Sequence, residues 1–143
     1  MQLTSEDDYD IIKKKNNEVW TEDGFAAYMA ERLAHQARHV PAARDIIGKH
    51  GRERDIHMAS HDDTTTADVE QSHADGISIS EFPTSVVAAR RARELGQRIV
   101  MGSPNVVLGG SHSGNVGAME LWDEGLLDVL TSDYVPGSLL HAA

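Results

Sequence analysis

Apolar residues Phe25, Met29, Leu33 and Ala37 recur every four positions, with Glu31, Arg32, Gln36 and Arg38 on other faces, which predicts an amphipathic helix over about 22–39. Upstream, Ser5 and Asp8 resemble a capping box leading into Tyr9, Ile12 and the run Lys13-Lys14-Lys15, so a further helix is expected there. Pro41 suits the first turn of a separate short helix through Ile46 and Ile47, ending near Gly48 or Gly51. None of these helices carries a chemical motif. His35 and His39 are spaced i,i+4, but no third ligand accompanies them, and a solvated helix face accounts for the pair.

From Asp55 onward the pattern becomes a repeat of short apolar runs and helical stretches. Runs at 56–60, 77–80, 98–101 and 126–130 read as strands. Helices are expected at about 67–75, 86–95 and 115–124, stopped by Gly76, Gly96 and Gly125, with a last one starting near Ser138. Strand followed by helix at this spacing predicts parallel βα units. The organisation is thus a helical segment, 1–51, and an array of βα units, 52–143. An open doubly wound sheet usually shows a glycine-rich first turn for phosphate; the first strand here has none, which favours a barrel. A complete (β/α)₈ barrel takes about 250 residues, so the chain has room for roughly half.

Composition narrows the possibilities. The chain has 143 residues, no Cys, eight His and a formal charge of −10. Thiolate metal sites, disulfides and a Cys nucleophile are excluded. No apolar run approaches the roughly 20 residues that span a bilayer, and the acidic beginning is no signal peptide, so a cytoplasmic protein without a membrane partner is expected. The acidic balance argues against nucleic acid, whose phosphates need Lys and Arg. Beyond Arg98 no basic residue other than His occurs, while Glu120, Asp123, Glu124, Asp128 and Asp133 remain. That stretch suits cations better than anions.

Each predicted strand closes on a small residue and then releases polar groups. These are Ser60-His61-Asp62-Asp63, Ser80-Glu81-Phe82-Pro83, Gly102-Ser103-Pro104-Asn105 and Ser132-Asp133-Tyr134. Ligands of parallel α/β proteins sit beyond the carboxyl ends of the strands. His61 with Asp62 and Asp63 offers donors to a divalent cation, or Asp62 and Asp63 simply cap a turn. Glu81 stands at the equivalent end of the next strand. Asp133, at the mouth of the last, has the chemistry to ligate a metal and accept a proton from water. The loop Gly109-Gly110-Ser111-His112-Ser113-Gly114-Asn115 is donor-rich, and the N–H groups of Gly109 and Gly110 are candidates to approach an anion; Asn115 alternatively caps the next helix.

In chain order, His61-Asp62-Asp63-Thr64-Thr65, Glu81-Phe82-Pro83-Thr84, Met101-Gly102-Ser103-Pro104-Asn105-Val106-Val107, Gly109-Gly110-Ser111-His112-Ser113-Gly114-Asn115-Val116 and Ser132-Asp133-Tyr134-Val135-Pro136 resemble the PhnM family of the metal-dependent amidohydrolase superfamily. The resemblance implies an α/β fold, a partial (β/α)₈ barrel of about four βα units corresponding to strands five to eight, preceded by N-terminal helices. It implies a divalent metal, zinc or manganese, and a hydrolase of phosphorus-containing anhydrides in phosphonate breakdown. The family cleaves α-D-ribose 1-methylphosphonate 5-triphosphate to the 5-phosphate and diphosphate, so a phosphorylated sugar phosphonate is the implied partner. By resemblance His61, Glu81 and Asp133 are metal ligands, and Asp133 is also the catalytic proton acceptor. Asn105, Gly109, Gly110, Ser111, His112 and Asn115 would face the substrate.

Departures from the family pattern accompany the match. The His-x-His after the first strand and the Lys or Glu after the fourth are absent, and Leu108 stands where the family usually has Arg. The isolated chain is therefore expected to be incomplete as an enzyme. Hydrolysis of C–N bonds, as elsewhere in the superfamily, and a non-catalytic fragment that only binds or assembles are the alternatives. A half-barrel leaves two strand edges and an apolar inner face open, so a homodimer or larger homo-oligomer is expected.

Overall fold

The structure is a computed structural model that describes residues 21–111 and 113–142. The helix expected near Ser5 and the residue His112 lie outside the described residues. The chain divides into two compact units, one running to Asp45 and the other from Ile46.

Helix α1, Glu22–Glu53, runs across that division without the expected interruption at Pro41. A proline inside a helix forfeits one hydrogen bond and costs about 3 kcal/mol. Here the flanking Ala, Arg, Leu, Glu and Gln are strong helix formers, and they carry the helix through. In the first unit Phe25 is buried, its ring 6.3 Å from that of Tyr28. The His35 and His39 rings lie with centroids 4.4 Å apart, tilted by 45°, on an exposed stretch, and no third donor among the described residues joins them.

Neither Gly48 nor Gly51 stops α1, because each serves close packing in the second unit. A Cβ on Gly48 would stand 2.7 Å from the Asp75 carbonyl oxygen, and one on Gly51 would collide with the Met58 thioether. Arg52 reinforces the contact by donating to the same Asp75 oxygen at 2.7 Å.

The second unit is a parallel four-stranded sheet of β1 (Ala59–His61), β2 (Ile79–Glu81), β3 (Arg98–Gly102) and β4 (Val129–Thr131), in spatial order β1-β2-β3-β4. Helices α2 (Thr66–Ala74) and α3 (Val86–Glu94) form the first two crossovers, as the sequence pattern predicts. Thr65 and Asp68 make a capping box on α2, and Ser85 caps α3 through the Ala88 N–H. The expected stops Gly76, Gly96 and Gly125 all take positive φ just past their helices.

The third crossover differs from expectation. Rather than a plain loop, residues after β3 form a short helix α4, Ser103–Val107, which Pro104 favours by its place in the first turn. The next helix, α5, spans Ala118–Asp123 and starts later than expected. A 3₁₀ turn, Pro136–Ser138, and α6, Leu139–Ala142, follow β4. The buried hydroxyls of Ser103 and Ser138 meet at 2.5 Å and tie this end to α4.

The core lies on the helical side of the sheet. Ile99 and Met101 pack there with Val69, Leu121 and the small residues Ala88, Ala89 and Ala92, which let α3 approach closely. Strand register places Ser60, Ser80 and Ile99 in one row on that side. The next row, His61, Glu81, Val100 and Val129, faces the opposite side, where Val129 and Arg98 are exposed. At the amino end of the sheet Asp128 accepts from the Ile99 N–H at 2.8 Å and pairs with Arg93 and Arg98.

Candidate active site

A cavity of about 380 Å³ opens at the carboxyl ends of the strands, within the size range of small-molecule sites. Each strand contributes. His61 and Asp62 come from the end of β1, and Phe82 and Pro83 from the end of β2. Met101 and Gly102 come from the end of β3 and Asn105 from the helix after it, and Asp133 and Tyr134 follow β4. The glycine loop closes one side with Gly110, Ser111 and Asn115. A second cavity of about 290 Å³ lies on the loop's other side, where Gly109, Glu120 and Met119 join Asn105, Gly110, Ser111 and Asn115.

The backbone at the cavity mouth is strained in a repeated way. Among the described residues four non-glycines have positive φ, and three of them line the cavity: Asp62 (61°), Phe82 (52°) and Asp133 (50°). Such a conformation costs on the order of 1 kcal/mol or more for a side-chain-bearing residue and clusters where a site requires it. At the first two strand ends the turn keeps the ladder going: Asp62 N–H donates to the Glu81 carbonyl at 3.1 Å and Phe82 N–H to that of Val100 at 2.9 Å. The side chains re-aimed by these turns converge on His61. Its Nδ1 lies 3.1 Å from Asp62 Oδ2, and its ring meets Phe82 edge-on with centroids 5.2 Å apart.

Asp63 plays a structural part. It is buried, accepts from Ser60 at 2.5 Å and from Ser72 at 3.4 Å, and its carbonyl receives the Thr84 N–H. The Thr84 carbonyl in turn receives the Val116 N–H at 3.1 Å, so the three strand-end loops are linked in series.

Of the residues singled out in the sequence, His61, Asp133, Asn105, Gly110, Ser111 and Asn115 line the main cavity, and Gly109 lines only the second. Glu81 neighbours His61 in the strand register but is outside the cavity wall. The N–H groups of the two glycines are engaged within the fold: Gly109 donates to Val106 O at 3.1 Å and Gly110 to Asn105 O at 2.9 Å. Both close the C-terminal turn of α4 and are committed there. Asn115 does not cap α5; that bond comes from Asn105, whose Oδ1 accepts the Ala118 N–H at 2.8 Å.

The charge of the wall is acidic. Asp62, Asp133 and His61 line the main cavity, and no Lys or Arg does so among the described residues. His61 and Asp133 are donors of the right chemistry for a divalent ion. Yet no group of three or more His, Asp or Glu among the described residues is placed to hold a metal. His61, Glu81 and Asp133 therefore do not complete a metal cage by themselves. Asp62, a candidate cation donor in the sequence, does line the cavity; Phe82 and Tyr134 line it with no such signal, since a bulky residue in a left-handed turn like that of Phe82 has no sequence signature.

A parallel array of βα units with a strained, polar cavity at the strands' carboxyl ends is the arrangement of an α/β enzyme. The chain is 50% identical over 123 residues, 86% of its length, to alpha-D-ribose 1-methylphosphonate 5-triphosphate diphosphatase of Escherichia coli (strain K12). It spans 32% of that protein. This similarity bears out the resemblance drawn from the five strand-end motifs. No protein-family model matches the chain, and no solved structure matches it.

Proposed function

We propose that the chain supplies four consecutive βα units, corresponding to strands five to eight of a (β/α)₈ barrel, to a cytoplasmic hydrolase of phosphonate metabolism. The substrate is α-D-ribose 1-methylphosphonate 5-triphosphate, and the reaction replaces diphosphate by water to leave the 5-phosphate. The observation that carries this reading is the 50% identity over 123 residues. The unreversed strand order and the cavity at the strand ends support it.

In this reading Asp133, held at the cavity mouth beside Gly102, accepts the proton of the attacking water. Asp62 and Phe82 hold the His61 ring at the cavity wall. Zinc or manganese is the ion expected of the assembled protein, toward which His61 and Asp133 would be donors from this chain; the described residues alone do not enclose one. Release of diphosphate from the substrate, followed by phosphorus NMR in the presence of manganese, tests the reading. Asp133→Asn is expected to slow release at least 100-fold. Undiminished release by that variant overturns the role of Asp133.

A second reading, a non-catalytic unit that only binds or assembles, is favoured by the lack of a third donor among the described residues. It predicts no tightly held metal after dialysis, which mass spectrometry measures. We further propose that a second copy covers the open sheet face of Val100 and Val129, since parallel sheets are normally buried on both sides. Light scattering at the monomer mass refutes this.

A further inference from the structure

Asn105, on α4, holds the glycine loop at both ends. Its carbonyl oxygen accepts the Gly110 N–H at 2.9 Å, and its side-chain Oδ1 accepts the Ala118 N–H at 2.8 Å. The two ends of the stretch 109–117 are thereby pinned to one residue. A Cβ on Gly117 would lie 3.8 Å from Oδ1 and 4.0 Å from the Gly110 Cα, so the loop closes on itself around this side chain.

The second bond also decides which way the amide faces. A main-chain N–H can only donate, so the group beside Ala118 must be the amide oxygen. The amide nitrogen is left with its two N–H groups, and it has no partner among the described residues. Asn105 is half-buried and lines both cavities. With the Gly109 and Gly110 N–H groups committed to carbonyls, this amide nitrogen is a donor that the loop still has to offer.

We propose that Asn105 is a two-sided positioning and binding residue: Oδ1 fixes the glycine loop, and Nδ2 donates to an anionic phosphoryl oxygen in the cavity. The donor half rests on the phosphoanhydride reading given above; the clamp half stands on the fold alone. Asn105→Asp separates them, because a carboxylate still accepts the Ala118 N–H but donates nothing.

The experiment combines amide hydrogen exchange of 109–117 with calorimetric titration of magnesium diphosphate. In Asn105→Asp the loop is expected to exchange as in the wild type, while the dissociation constant rises at least tenfold. In Asn105→Ala loop exchange is expected to rise at least tenfold and binding to weaken as well. Leu108→Asp puts the same charge on the same wall without touching the amide, and it is expected to weaken binding less than threefold. Binding by Asn105→Asp within threefold of the wild type overturns the donor role. So does an equal loss in Leu108→Asp, which reduces the effect to charge alone. Unchanged loop exchange in Asn105→Ala overturns the clamp. If the wild-type chain takes up no magnesium diphosphate while Asn105→Ala still loosens the loop, the phosphoanhydride reading and the donor role fall together and the clamp stands.

Discussion

Asp128 is expected to be the most sensitive charged residue of the βα array, although it lies at the end of the sheet opposite the cavity. Its side chain is only 15% exposed. Oδ2 accepts the Ile99 N–H at 2.8 Å and one arm of Arg93 at 2.7 Å, while Oδ1 accepts the other arm of Arg93 at 3.2 Å and Arg98 at 3.1 Å. Arg93 also donates to the Leu126 carbonyl at 2.6 Å, so removing the carboxylate disturbs the entry to β4 as well. A hydrogen bond from a buried N–H to a charged acceptor contributes about 1.5–3 kcal/mol. The pair with Arg98, whose side chain is 70% exposed, contributes about 0.5 kcal/mol once solvent screening is counted. Arg93, a third exposed, adds about as much again.

Asp128→Ala should therefore lower stability by about 3 kcal/mol, read from the urea midpoint at constant slope. Asp128→Asn keeps an acceptor for Ile99 and should lose about half as much. Burial pushes the Asp128 carboxyl up, but the Ile99 N–H and the Arg93 and Arg98 guanidinium groups outweigh it and hold it below its ordinary value. A depressed native pKa contributes stability that is complete above the unfolded value near 4 and is lost as pH falls through the native value. The gap between wild type and Asp128→Asn should accordingly narrow as pH drops below about 4. A loss under 0.5 kcal/mol for Asp128→Ala, or a gap that persists unchanged in acid, refutes the argument.

Gly48→Ala gains about 1 kcal/mol of helix propensity but sets a methyl group 2.7 Å from a backbone oxygen that cannot move cheaply. The expected net result is a destabilisation of about 1–2 kcal/mol in thermal melts, and any stabilisation contradicts the packing role. Leu108→Arg adds a guanidinium to a cavity wall that has no cation among the described residues. Calorimetry should show magnesium diphosphate binding about tenfold more tightly, as a charge-assisted bond of about 1.5 kcal/mol allows; an unchanged affinity places the anion elsewhere.

Much of the array was legible because local signals and global topology agree. The apolar runs around Ile79 and Ile99, the helices α2 and α3 on either side of the first run, and the stops at Gly76, Gly96 and Gly125 all follow from periodicity and turn chemistry. What escaped depends on partners distant in the chain. Gly48 and Gly51 read as helix ends, yet their contacts with Asp75 and Met58 make them packing positions inside α1. The cap of α5 comes from Asn105, thirteen residues upstream of Ala118, where no local pattern points to it. Phe82 shows the same limit at the cavity: a large side chain is disfavoured at positive φ, so only the assembled turn reveals that it faces His61.

The charge of the cavity constrains how any phosphorylated ligand enters it. Asp62 and Asp133 line the wall with no Lys or Arg beside them among the described residues. An anion about 5 Å from one carboxylate is repelled by about 3 kcal/mol at an effective dielectric near 20. One amide donor, at about 1.5–3 kcal/mol for a charged acceptor, roughly offsets one such repulsion and cannot offset two. A free di- or triphosphate is therefore disfavoured here, whereas its complex with a divalent cation turns the same two carboxylates from repulsive into attractive groups. On the proposed function, the strained turns that hold Asp62 and Asp133 at the mouth would keep two anionic side chains where a cation-bound anion is favoured over a bare one.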